Sequence, residues 1–82
     1  MAENDVKQII INVSGLPGSI NDLDDTSCLS TLGFTGTMCL DLAEQLDAYV
    51  KTQQSEASVD GNELSPSMTV QQVIDLIKKK VS

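Results

Sequence analysis

Few residues in this chain could do chemistry. The sequence has no histidine, no arginine and no tryptophan among its 82 residues. Acid–base catalysis near neutral pH therefore lacks its usual group, and no guanidinium is available to bind a phosphate or an oxyanion. No serine, threonine or cysteine is paired with a base that would activate it, so an enzyme is not expected. Cys28 and Cys39 stand eleven residues apart with no histidine to complete a zinc site. Two lone thiols in a cytosolic chain read as small core residues, and no metal site is expected. Two features remain. The acids Asp41, Glu44 and Asp47 recur every third residue, and the hydroxyls of Thr35 and Thr37 flank Gly36. On a helix, those acids step round one side. That is a pattern for electrostatic docking rather than for bond-making.

The charge balance agrees with docking. Twelve acids face five basic residues, all lysines, for a net charge of −7. An acidic surface repels nucleic acid and anionic lipid and attracts partners with basic patches. The same charge would also serve simply to keep a small protein in solution. No basic segment followed by an apolar run opens the chain, and no apolar stretch reaches the roughly 18–20 residues needed to span a membrane. A cytoplasmic monomer without a membrane partner is the expectation. The length allows one domain, spanning 1–82. With only Phe34 and Tyr49 aromatic, its core must be built from aliphatic stripes, which favours packed helices.

Three helices can be placed to position the acids. Asn4 or Asp5 can cap the first, over 5–14, where Val6, Ile9, Ile10 and Val13 repeat at helical spacing. Gly15, Pro17 and Gly18 end it and open a loop from Leu16 to Thr35, with a helical turn near Thr26–Leu32 capped by Ser or Thr. Ile20, Leu23, Cys28, Leu29, Leu32 and Phe34 can anchor that loop to the core. The second helix runs over 37–51, with Met38, Cys39, Leu42, Ala43, Leu46, Tyr49 and Val50 in one arc and the three acids opposite. Leu40 falls within the acidic arc and is a candidate partner contact. Asp60-Gly61-Asn62 signals a turn, and Val59 and Leu64 frame a short third helix near 58–64. The last helix covers 69–81. Thr69 and Gln72 form a capping box, Val70, Val73, Ile74, Ile77 and Val81 form its buried stripe, and Lys78, Lys79 and Lys80 suit its negative end. The expected fold is all-α, a small bundle of three long helices and one short.

The local sequences then point to a family. Leu32-Gly33-Phe34-Thr35-Gly36-Thr37-Met38-Cys39-Leu40-Asp41-Leu42, with Leu46-Asp47 beyond, resembles the acyl carrier protein segment LG-x-DSL-x-x-[VL]-[ED]-L and the Leu-Glu pair that follows it. Asp25-Thr26-Ser27-Cys28-Leu29 sits where that family has a polar run leading into a hydrophobic pair. Met68 to Ile77 looks like the family's final helix. The resemblance covers nearly the whole chain, with a few extra residues in the third-helix region. It implies a four-helix carrier domain that docks onto fatty-acid or polyketide biosynthetic enzymes, through Leu40, Asp41, Glu44 and Asp47 against basic patches. It also implies a 4′-phosphopantetheine group on a serine at the start of the second helix.

That serine is missing. The register puts Thr35 at the family's aspartate and Gly36 at its attachment serine, and glycine has no hydroxyl to form the phosphodiester. Thr37 is the alternative hydroxyl, but it is β-branched and turned about 100° round the helix. Using Ser27 or Ser30 would break the register on both sides. The glycine is read as an N-cap or turn residue on a decayed site, or as an engineered block to modification. Two functions follow, a carrier with an atypical site or a carrier-like module that acts by protein binding alone.

Overall fold

The computed structural model describes residues 2–15, 21 and 23–81. Within them the fold is helical, with α1 over Ala2–Ser14, α2 over Gly36–Gln53 and α3 over Val70–Val81. α1 packs against both α2 and α3, and α2 against α3. The helices form where apolar residues recur every three to four positions, and those stripes meet in a shared core. Val6 and Ile10 of α1, Leu42, Leu46 and Val50 of α2, and Val70, Val73, Ile74 and Ile77 of α3 are fully buried there.

The ends of the helices show which local signals set them. α1 begins at Ala2, ahead of the expected caps. Asn4 and Asp5 therefore lie inside its first turn, where Glu3 and Asp5 suit the positive end of the helix dipole. Asp5 is engaged elsewhere, accepting a hydrogen bond of 2.9 Å from the Tyr49 hydroxyl of α2. Gly15 closes α1 in the left-handed conformation, φ 70°, and its amide donates to Ile11 O at 3.0 Å. At the start of α3 the capping box forms as expected. Thr69 N donates to Gln72 Oε1 at 2.9 Å, and Gln72 N to Thr69 Oγ1 at 3.1 Å.

The first loop is fastened to the start of α3. Leu29 N and Ser30 N donate to Met68 O and Pro66 O, both at 2.8 Å, while Val70 N and Gln71 N donate to Ser27 O and Asp25 O at 3.0 and 2.9 Å. Cys28 and Thr69 make an antiparallel bridge within this seam. Two first-turn amides of α3, which no residue of the helix could satisfy, thus find acceptors in the loop. The Lys7 ammonium adds an ion pair of 2.8 Å to Asp25, and this hydrogen-bonded carboxylate raises the lysine above its ordinary pKa. Of the expected anchors, Leu29 and Phe34 are buried, and Leu23 and Leu32 pack against the core. Cys28 is half-buried and Cys39 buried, both as free thiols. Leu16, Pro17, Gly18 and Ile20 lie outside the described residues.

Two expected helical pieces are smaller than the spacing implied. The turn near Thr26–Leu32 is a single 3₁₀ turn over Leu29–Leu32, and Cys28 precedes it without a side-chain cap. Thr26 instead turns back on Asp24, its amide and hydroxyl donating to Asp24 Oδ1 at 2.9 and 2.8 Å. The short third helix near 58–64 is likewise one 3₁₀ turn, Gly61–Glu63. Val59 and Leu64 frame it and are buried as expected. Between them stand only polar residues and a glycine, so no apolar stripe holds a longer helix in place. The turn is secured instead by its own capping box. Asp60 N donates to Glu63 Oε2 at 2.8 Å, Asn62 N donates to Asp60 Oδ1 at 3.3 Å, and Lys80 of α3 pairs with Glu63 at 2.7 Å.

Candidate functional site

The entry to α2 is where the family's prosthetic group would be expected. Thr35 is the N-cap, in extended backbone at φ −97° and ψ 175°, and its hydroxyl accepts a hydrogen bond from Met38 N at 3.2 Å. This corrects one reading of Gly36. It is neither the cap nor a turn residue but the first residue of α2. Its φ is not positive, unlike that of Gly33 at 91°. A methyl group added to Gly36 would meet no atom within 4 Å. Neither backbone nor packing therefore demands glycine here. The position is exposed, as is Thr37 beside it. Covalent attachment at position 36 does not fit the residue present, because a phosphodiester needs a hydroxyl oxygen that glycine lacks.

The four residues of α2 expected to meet a partner do not form one uniform face. Asp41 and Glu44 are exposed and make no hydrogen bond or ion pair among the described residues. Asp47 is committed within the protein. Its Oδ1 accepts from Val59 N at 2.9 Å and its Oδ2 from the Lys51 ammonium. The Lys51 hydrogen bond, then the Val59 amide, hold its carboxyl below the ordinary range. Asp47 thus tethers the segment after α2 to that helix. Leu40 also has a role inside the molecule. It is 58% exposed, yet its side chain lies over Gly61, where an added methyl group would come within 2.5 Å of Leu40 Cδ2. The bare glycine backbone makes room for the leucine, which accounts for an apolar side chain in the acidic arc.

Two open grooves flank this part of α2. One, of about 410 Å³, runs between α2 and the segment around Gly61, lined by Leu40, Ala43, Glu44, Asp47 and Val59 among others. The other, of about 390 Å³, lies between α1 and α2, lined by Ile9, Asn12, Val13, Asp41, Glu44 and Gln45. Glu44 borders both. The contribution of α1 was not visible in the sequence, because Ile9 and Val13 belong to its apolar stripe and nothing in their spacing says that they line a groove. Elsewhere the lysines are engaged. Lys7, Lys51, Lys78 and Lys80 pair with Glu3, Asp25, Asp47 and Glu63. Asp41 and Glu44 are left without a lysine partner, as are Asp5, Asp24, Glu56, Asp60 and Asp75 among the described residues.

Other titratable groups here look structural. Burial pushes the Cys39 thiol up, which makes it a weaker nucleophile. Burial first, and then the hydrogen bond to Asp5, raise the Tyr49 phenol. Among the described residues no helix is long and apolar enough to cross a membrane. No family model, no curated protein and no solved structure matches the chain.

Proposed function

We propose that this chain is an acyl-carrier-like domain that docks onto biosynthetic enzymes of fatty-acid or polyketide type through the acidic side of α2. In this reading it is a cytoplasmic, non-enzymatic monomer whose partners carry basic patches. The observation that carries the reading is the start of α2. An exposed residue with open space around it follows a threonine cap, and Asp41 and Glu44, without partners among the described residues, lie further along the same helix. The order of motifs along the chain supports the same family, and the helical fold is compatible with it. Weak, salt-sensitive association is what such a surface favours, since exposed charges steer encounter more than they add affinity.

Gly36 favours a second reading, a carrier-derived module that carries nothing and works by binding alone. One measurement separates the two. The native chain and Gly36→Ser are incubated with coenzyme A and a phosphopantetheinyl transferase, and their intact masses are compared. The native chain is expected to gain nothing, and Gly36→Ser to gain one phosphopantetheine. An increment on the native chain would move the site to Thr37 or another hydroxyl. If Gly36→Ser stays unlabelled under conditions that label an ordinary carrier, the surrounding surface has diverged too and the binding-only module stands.

A further inference from the structure

We propose that the groove between α1 and α2 seats an arginine side chain presented by the partner enzyme, so that α1 supplies half of the dock. This rests on the docking role proposed above and adds to it a second wall and the residue type it takes. The groove is two-natured. On α1, Ile9 and Val13 are four residues apart and so neighbours on successive turns. Both are half-buried and packed against the core, and both line the groove. On α2, Asp41 and Glu44 line the facing wall and no lysine of the described residues pairs with them.

An occupant must satisfy both walls. A purely apolar segment would take Asp41 and Glu44 out of water without giving them partners, which is costly. An anion would be repelled. Arginine meets both demands, because its aliphatic stem can lie along apolar surface while its guanidinium, more weakly hydrated than an ammonium, offers several donors to carboxylates. The groove on the other side of Glu44 is less suited to a cation, since its other two acids already accept hydrogen bonds within the protein, Asp47 from Lys51 and the Val59 amide and Asp60 from the Asn62 amide.

The test uses amide chemical shifts of the isotopically labelled full chain, titrated with a helical alanine-based peptide carrying one arginine and with its norleucine twin. The arginine peptide is expected to shift Ile9, Asn12 and Val13 together with Asp41, Glu44 and Gln45, and the norleucine peptide to shift none of them. Asp41→Asn with Glu44→Gln should weaken the arginine peptide about tenfold, and Val13→Thr, which keeps the shape but adds a hydroxyl, about threefold. Shifts confined to Leu40 and the Gly61 turn, an equal response to norleucine, or no response would each overturn the proposal. A partner enzyme that binds in a salt-sensitive way while Ile9 and Val13 stay unshifted overturns the arginine seat and leaves the docking role intact. The docking role itself fails if no carrier-dependent enzyme binds at low salt.

Discussion

The seam between the first loop and α3 and the open side of α2 use the same residue types to opposite ends. In the seam, backbone amides of Leu29, Ser30, Val70 and Gln71 are all paired across the two segments, and Asp25 holds Lys7. On the open side of α2, Asp41 and Glu44 hold nothing among the described residues, and Gly36 leaves space unfilled. Acids occur in both places, so acidity alone does not mark a surface made for a partner. What differs is whether the fold has already supplied each polar group with a partner. Groups satisfied internally stabilise the protein, and groups left to water remain available for another molecule.

The most forceful way to break this contrast is to hollow the seam. Leu29 is fully buried, and its amide is one of the seam's donors. Leu29→Ala is expected to cost about 2–5 kcal/mol by lost burial and the cavity left behind, measured by urea unfolding. For an 82-residue chain with a total stability of about 5–10 kcal/mol, a loss of that size would show at once. Leu40→Ala, at the exposed leucine over Gly61, should stay within about 1 kcal/mol. Comparable losses at the two leucines would mean that the seam is not the better consolidated region.

How much of this could be read beforehand depends on the range of the signal. The three α-helices were legible because stripes such as Val6–Ile10 and Val70–Val73–Ile74–Ile77 repeat with the helical period, and the Thr69–Gln72 box marks its own position. The seam was not legible. Backbone pairing between segments remote in sequence leaves no periodic trace, and Ser27, Cys28 and Met68 carry no side-chain pattern that announces it. The site was legible only as a set of α2 residues. Asp47 looked equivalent to Asp41 and Glu44 because its deciding partner, the Val59 amide, lies twelve residues on. Leu40 looked like a bare partner contact because Gly61, the residue beneath it, read only as a turn.

Smaller effects are expected at the entry to α2. Thr35→Ala removes the hydroxyl that caps Met38 N and should cost about 1 kcal/mol, within a range of roughly 0.5–2. Gly36→Ala goes the other way. The φ of residue 36 is not positive and the added methyl group meets nothing within 4 Å. The substitution should therefore stabilise by about 0.4–1 kcal/mol, chiefly by restricting the unfolded chain. Urea unfolding of the two variants reads both signs. Destabilisation by Gly36→Ala would show that the helix entry needs glycine and that the space beside it is not free.

The finest test sets acid against acid. The Asp47 carboxyl lies below its ordinary range because Lys51 and then the Val59 amide favour its charged form. A carboxylate lowered on folding contributes stability that is complete above the unfolded value, near 3.9, and is lost as pH falls through the lower folded value. Its pH dependence is therefore confined to acid, and its stabilisation is fully present at neutral pH. Carboxyl-carbon titration should place the Asp47 midpoint below that of an unfolded aspartate. In Lys51→Met the midpoint should rise part of the way back, because the larger cause is gone and the Val59 amide remains. Asp47→Ala should speed hydrogen exchange at Val59, whereas Asp41→Asn should leave that amide unchanged. An Asp47 midpoint unmoved in Lys51→Met, together with unchanged exchange at Val59 in Asp47→Ala, would dissolve the distinction between the tethering acid and the free ones and return all three to a single acidic face.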